Sequence, residues 1–124
     1  MTEADPEANA SASEQFVVEL LDRAVSGMGG ESRTGQHEMA RQVARAIDSG
    51  DHLLVQAGTG TGKSLAYLIP LIAHSLVSDK PTLVSTATLA LQTQIVGRDL
   101  PRLLETLTPA LDRPVRACQP RGVP

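Results

Sequence analysis

A glycine-rich run in the middle of the chain has the residue types and spacing of a phosphate-binding loop. It reads Ala57-Gly58-Thr59-Gly60-Thr61-Gly62-Lys63-Ser64, the Walker A pattern with alanine at its first position. Glycines let the backbone adopt positive φ, which turns several N–H groups inward and forms a concave nest for phosphate oxygens. A helix beginning near Lys63 would add the positive end of its dipole. The run therefore predicts a site for the phosphates of a nucleotide.

The side chains of this predicted site have separate tasks. Lys63 is the candidate catalytic residue, because its ammonium group would reach the β- and γ-phosphates. The Ser64 hydroxyl would coordinate Mg²⁺ that is shared with phosphate oxygens. The phosphate cradle itself is predicted from Gly58, Thr59, Gly60, Thr61 and Gly62. A glycine-rich turn that contains Lys and Ser by chance is the alternative, and the elements predicted on both sides disfavour it.

The flanking sequence predicts the elements that position the loop. Residues 53–55 form a short apolar run, typical of a strand buried on both faces of a parallel sheet. A helical stripe follows the loop, and Pro70 predicts a kink near its middle. Residues 82–85, introduced by Pro81, predict a second strand. These elements make one βαβ unit with a right-handed crossover, so we predict an α/β fold with a short parallel sheet flanked by helices.

Helical spacing of apolar residues recurs in four further stretches. Glycines follow the first stretch, and Gly50 ends the second, whose apolar face carries Met39, Val43 and Ile47. Thr88 is a suitable N-cap for the third. The predicted helices run from Phe16 to Met28, from about Gln36 to Gly50, from Thr88 past Ile95, and from Pro101 through Leu107.

Length and composition allow one small domain. The 124 residues divide into a disordered leader (1–15), a domain (16–107) and an irregular, locally basic tail (108–124). A net charge of −3 and an aromatic content of 2% argue against a general basic nucleic-acid surface and against base-stacking platforms. The single Cys118 cannot form a disulfide framework or a metal cluster by itself. With neither a leader peptide nor a long apolar run, a cytoplasmic protein without membrane association is expected.

The sequence around the loop resembles that of DinG-type ATP-dependent DNA helicases, the XPD-like branch of superfamily 2. Residues 55–70, VQAGTGTGKSLAYLIP, are similar to motif I of that family. Residues 84–92, VSTATLALQ, followed by Asp-Leu-Pro at 99–101, look like its motif Ia region, and Arg-Thr-Gly-Gln at 33–36 resembles its adenine-side Q motif. Three motifs in the family's order cover the chain from about residue 30 to residue 107. The resemblance implies a partial RecA-like P-loop NTPase domain.

Further site residues follow from this resemblance. Gln36 would hydrogen-bond the adenine edge, since its amide offers a donor and an acceptor, and Arg33 is a weaker candidate for the same pocket. Thr86, Thr88 and Gln92 would lie beside the DNA backbone. The N-cap role is an equally good account of Thr88. ATP, Mg²⁺ and single-stranded or forked DNA are the implied ligands of the intact helicase.

The implied function is that of the ATP-binding N-terminal portion of a DNA helicase, which couples ATP hydrolysis to unwinding in the intact protein. A Walker B acidic pair and an arginine finger are not recognisable here, so the chain alone is expected to bind ATP·Mg²⁺ weakly and to hydrolyse it negligibly. Cluster-bearing relatives have four cysteines after the motif Ia region, which implies an iron–sulfur cluster for intact relatives only. Similarity fades near Pro114, which suggests truncation, by a frameshift as one hypothesis. A small P-loop kinase or NTPase and a non-enzymatic regulatory fragment are the alternative functions.

Overall fold

The computed structural model describes residues 12–30, 34–56 and 63–119, and the regular elements within these ranges are helices. A π turn (Ile95–Asp99) joins the fourth helix to the fifth, and a 3₁₀ turn (Thr108–Ala110) follows the fifth. The helices are α1 (Ala12–Gly27), α2 (Thr34–Ser49), α3 (Lys63–Ser78), α4 (Leu89–Gln94) and α5 (Leu100–Leu107). The four predicted helical stretches and the helix after the loop are thus confirmed as helical. The first of them begins at Ala12, four residues before the apolar pattern does.

The predicted α/β fold is wrong for the part of the chain that the structure describes, because neither proposed strand forms there. Residues 53–55 and 82–85 have no regular secondary structure, and Leu54 and Leu83 are 99% and 80% exposed. A strand exists only when a second backbone pairs with it, and no backbone hydrogen bond joins the described residues of these two segments. The short parallel sheet and its right-handed βαβ crossover are therefore absent from these residues, and their apolar side chains stay exposed.

The hydrophobic core lies where α1, α2, α3 and α5 meet. Its fully buried large side chains include Leu21 on α1, Ile69 on α3, and Leu103 and Leu107 on α5. The buried face of helix α2 consists of Gln36 and two small residues, Ala40 and Ala44. The predicted face with Met39, Val43 and Ile47 is only half-buried.

Small side chains on α2 let it approach α3 closely, and these two helices share the most extensive contact in the core. Helix α3 runs without interruption through the buried Pro70, and the kink at that residue stays a prediction.

Polar contacts join α1 to α2, and three of them form what we call the polar seam. Ser13 donates to Asp48, Arg45 Nε donates to Glu14 Oε1 at 3.1 Å, and His37 Nε2 lies 2.7 Å from Asp22 Oδ1. Residues early in α1 contact residues late in α2, and Asp22 contacts the beginning of α2, so the two helices are antiparallel. The hydrogen bond and the charge of the nearly buried Glu14 carboxylate raise the pKa of Arg45 above its ordinary value. The seam fixes the register of this helix pair.

Glycines end α1 and α2 as the sequence predicts. Gly29 and Gly50 have φ of +79° and +74°, a left-handed conformation that costs glycine little because it has no Cβ. The next residue then donates back into the helix: Gly30 N–H to the Val25 carbonyl at 2.9 Å, and Asp51 N–H to the Ala46 carbonyl at 3.0 Å. These hydrogen bonds satisfy one of the last backbone carbonyls at each helix end.

The π turn between α4 and α5 has its cause in Pro101. Proline has no N–H to donate to the carbonyl four residues before it, here that of Gly97, and its ring would clash with that carbonyl in a regular α-helix. The wider turn relieves this conflict, and the Leu100 N–H donates to the Ile95 carbonyl five residues earlier. Ile95 is buried and keeps this part of the helix on the core.

The tail after α5 returns to the C-terminal end of α3. Arg113 donates from Nη1 to Asp79 Oδ1 at 2.9 Å and from Nη2 to the Leu76 carbonyl. Leu111 and Val115 pack against the edge of the core. Residues 111–115 of the predicted irregular tail are thus attached to the folded helices.

Candidate nucleotide-binding site

Helix α3 begins at Lys63, so the predicted catalytic lysine and magnesium ligand occupy its first turn. Lys63 is exposed and Ser64 is partly buried. The first four N–H groups of a helix have no partner within it, and they form the positive end of the helix dipole. An ammonium group, a hydroxyl and the amides of a helix's first turn suit the phosphate oxygens and Mg²⁺ of a nucleotide.

The buried middle of α3 holds the beginning of this helix in a fixed position on the core. One side of the helix lies in the core between Ala66 and Ala73, and Ala66 and Ile69 are completely buried. The 16-residue helix is held by α1 and α2 on its sides and by Arg113 at its far end. The anchored body of α3 thus fixes the position of Lys63 and Ser64 at its beginning.

The remaining phosphate-loop residues lie outside the described part of the chain. Their predicted backbone contacts with phosphate stay predictions. The residues concerned are Gly58, Thr59, Gly60, Thr61 and Gly62.

Gln36, the predicted adenine contact, lies in the first turn of α2 and is only 6% exposed. Its side chain belongs to the buried face of α2 together with Ala40 and Ala44. The contact of its amide with the adenine edge stays a prediction. Arg33, the second candidate for the adenine side, lies outside the described residues.

The three residues predicted to contact DNA are brought together at the beginning of α4. The Leu91 N–H donates to Thr88 Oγ1 at 3.1 Å, which confirms the predicted N-cap. Thr86 Oγ1 donates to the Thr88 carbonyl at 3.0 Å, and the Gln92 N–H donates to the same carbonyl at 3.2 Å. Since a hydroxyl donates one hydrogen bond and accepts two, Thr88 keeps its own donor while it caps the helix. Their contact with DNA stays a prediction.

Comparison with known proteins identifies the family. The sequence profile described as DEAD/DEAH box helicase matches residues 37–110, which is more than half of the chain. The chain belongs to the DEAD/DEAH box helicase family. The match begins in the first turn of α2 and ends after α5, so it includes α3 and α4, while α1 lies outside it.

Individual members of this family place the chain among DinG-type sequences. It is 61% identical over 97 residues to the ATP-dependent helicase DinG of Mycobacterium tuberculosis, covering 78% of this chain and 15% of that protein. It is 47% identical over 81 residues to the ATP-dependent DNA helicase DinG of Salmonella typhimurium, covering 64% and 11%. It is 42% identical over 87 residues to the ATP-dependent DNA helicase YoaA of Escherichia coli, covering 70% and 13%. The resemblance to DinG-type helicases is thus confirmed, and no solved structure matches the chain.

The chain spans about one seventh of the length of the M. tuberculosis relative. Among the described residues, no helix is both long and apolar enough to cross a bilayer, and no three His, Cys, Asp or Glu side chains gather as a metal site. Cys118 is exposed.

Two contacts beside the site were not found from the sequence. Asp22 binds His37, the residue after Gln36, and Arg113 binds the end of the helix that begins with Lys63. Asp22 and His37 are 15 residues apart in the sequence, and Asp79 and Arg113 are 34 residues apart. No helical or strand period connects residues at these separations. The partner of His37 is known only from the packing of α1 on α2.

Proposed function

We propose that this chain is the ATP-binding N-terminal portion of an ATP-dependent DNA helicase. The observation that carries the proposal is the position of the exposed Lys63 and the partly buried Ser64 at the beginning of a helix whose middle is buried, directly after a Walker A sequence. Membership of the DEAD/DEAH box family supports the helicase assignment, and the names of the relatives support DNA as the substrate. In the intact protein, ATP hydrolysis would be coupled to DNA unwinding.

On the nucleotide side, separate described residues would bind the phosphates, the Mg²⁺ ion and the adenine ring. Lys63 would neutralise the β- and γ-phosphates, and the Ser64 hydroxyl would ligate the Mg²⁺ that accompanies them. Bound Mg²⁺ would supply neutralisation of the phosphate charge. Gln36 would orient the adenine ring through its amide, at a distance from the phosphates. The chain alone would bind ATP·Mg²⁺ weakly and turn it over negligibly, because it has no recognisable Walker B pair.

On the DNA side, the proposal concerns the beginning of α4. Thr86, Thr88 and Gln92 would lie beside the phosphate backbone of single-stranded or forked DNA in the intact helicase. We also propose a cytoplasmic location, and an iron–sulfur cluster only in relatives that have the four cysteines.

Titration of the chain with a fluorescent ATP analogue, with and without Mg²⁺, tests the nucleotide role. We expect binding that depends on Mg²⁺ and is weakened by Ser64→Ala, because the hydroxyl ligand is lost. Ser78→Ala, at the other end of α3, is the matched control and should leave affinity unchanged, since the Ser78 hydroxyl donates to the His74 carbonyl. Mg²⁺-independent binding, or equal effects of the two substitutions, would count against the proposed site.

A further inference from the structure

A short polar contact joins helix α1 to the adenine-side turn of α2. Asp22 Oδ1 lies 2.7 Å from His37 Nε2. The His37 side chain is 24% exposed and that of Asp22 is 51% exposed. His37 directly follows Gln36, the proposed adenine contact. The Asp22 carboxylate therefore contacts the residue next to Gln36 in the sequence.

The first turn of α2 needs such a contact because helix ends fray. The first N–H groups of a helix have no partner inside it, which makes the terminal turn the least constrained part of the element. The far end of α2 is held by the other two contacts of the polar seam, those of Asp48 and Arg45. Asp22 supplies the seam's contact at the near end, where Gln36 lies. The seam therefore holds α2 at both ends against α1.

The Asp22–His37 contact also determines how the turn is rotated. Successive side chains of an α-helix point about 100° apart around its axis. Gln36 belongs to the buried face with Ala40 and Ala44, whereas His37 is turned toward Asp22 on α1. Two neighbouring side chains held in two directions fix the rotation of the turn, and with it the direction of the Gln36 amide.

We propose that Asp22 is a positioning residue for the adenine side of the nucleotide site, acting on Gln36 through His37. The inference rests on the proposed function, in which Gln36 orients the adenine ring. It assigns a role to α1, an element outside the residues that match the family profile. Asp22 would affect recognition of the base and leave recognition of the phosphates to Lys63 and Ser64.

Binding of two ligands by the full chain separates these contributions. The dissociation constants of ATP·Mg²⁺ and of tripolyphosphate·Mg²⁺ are measured for the parent chain, Asp22→Ala, His37→Ala and the double variant. Glu19→Ala is the matched control, because it removes an exposed carboxylate from the same helix one turn away. We expect Asp22→Ala to weaken ATP binding about threefold to tenfold, which corresponds to roughly one net hydrogen bond.

Tripolyphosphate affinity should stay unchanged in Asp22→Ala, and the double variant should lose no more than His37→Ala alone. Equal loss for both ligands would overturn the inference, since it would indicate general destabilisation, and so would ATP affinity equal to that of the control. If Lys63→Ala leaves ATP binding unchanged in the parent chain, the proposed function fails and the inference fails with it. ATP binding that requires Lys63 but ignores Asp22 overturns the inference alone.

Hydrogen exchange tests the same contact without any nucleotide. In Asp22→Ala, amides at residues 38–41, which donate to the carbonyls of the first turn of α2, should exchange faster than in the parent chain, because that turn loses its attachment to α1. Glu19→Ala should leave their exchange unchanged. Unchanged exchange in Asp22→Ala would show that the contact does not hold this turn, which overturns the inference.

Discussion

The helical core and the two apolar segments beside α3 have similar residue types and opposite environments. Leu21 and Ile69 of the core are completely buried, whereas Leu54 and Leu83 of the segments are 99% and 80% exposed. A helix satisfies its backbone hydrogen bonds from its own residues, so it can form first and then bury one face. A strand needs a neighbour's backbone before its side chains can be buried. Apolar residues alone therefore do not determine whether a segment is buried.

The largest expected difference in stability is between truncating a leucine of the core and truncating a leucine of an exposed segment. Leu21→Ala should lower the free energy of unfolding by about 2–5 kcal/mol, because it leaves a cavity in the core. Leu54→Ala should change it by less than about 0.5 kcal/mol, because that side chain already contacts water. Urea unfolding followed by circular dichroism measures both. A loss for Leu54→Ala as large as that for Leu21→Ala would show that residues 53–55 are packed in solution.

A smaller effect is expected where α1 approaches α5. A Cβ added to Gly27 would overlap the Cγ2 methyl group of Thr106. That methyl cannot rotate away without cost, because the Thr106 hydroxyl donates to the Arg102 carbonyl at 2.9 Å. Gly27→Ala should therefore destabilise the fold by about 1–3 kcal/mol in thermal or urea unfolding.

Gly35→Ala is the matched control for this contact. Gly35 lies in the first turn of α2, and a Cβ there would meet no atom within 4 Å. Alanine also has the higher helix propensity, so the substitution should be neutral or stabilising by up to about 1 kcal/mol. If both alanines have the same effect, close packing of α1 on α5 is not what requires glycine at position 27.

The smallest effect concerns the attachment of the tail to α3. Arg113→Ala removes the ion pair with Asp79 and the hydrogen bond to the Leu76 carbonyl, both near the surface. We expect a loss of about 0.5–1 kcal/mol and faster hydrogen exchange of the Asp79 amide, which donates to the Ser75 carbonyl. Arg116→Ala, an exposed arginine three residues later, should change neither. Equal responses would mean that Arg113 does not hold the tail in place.

Sequence patterns predicted the helices because their information is local. Apolar periodicity, the Thr88 cap and the glycines at positions 29 and 50 each act within a few residues, and the structure has helices at all predicted places. The strands at 53–55 and 82–85 were wrong because their formation depends on pairing between distant segments. The buried face of α2 was also misplaced, since the packing of Ala40 and Ala44 on α3 depends on tertiary contacts.

Only the part of the candidate site that depends on local sequence could be predicted. The Walker A pattern fixes its own helix start, and Lys63 indeed begins α3. The partners that surround the site, Asp22 for His37 and Arg113 for α3, come from elements that no short motif connects. Motifs therefore predict candidate residues for ligand contact, whereas the partners of those residues in the fold become known only from the packing of helices.

The central claim is that the first turn of α3 binds the phosphates of ATP, and the two lysines of the chain test it directly. Lys63 begins α3, whereas Lys80 lies just beyond its other end, and both are exposed. In equilibrium titrations with ATP·Mg²⁺, Lys63→Ala should weaken binding about tenfold or more, because it removes a charge-assisted contact with phosphate. Lys80→Ala should bind like the parent chain. Equal affinities for the two variants would contradict the claim.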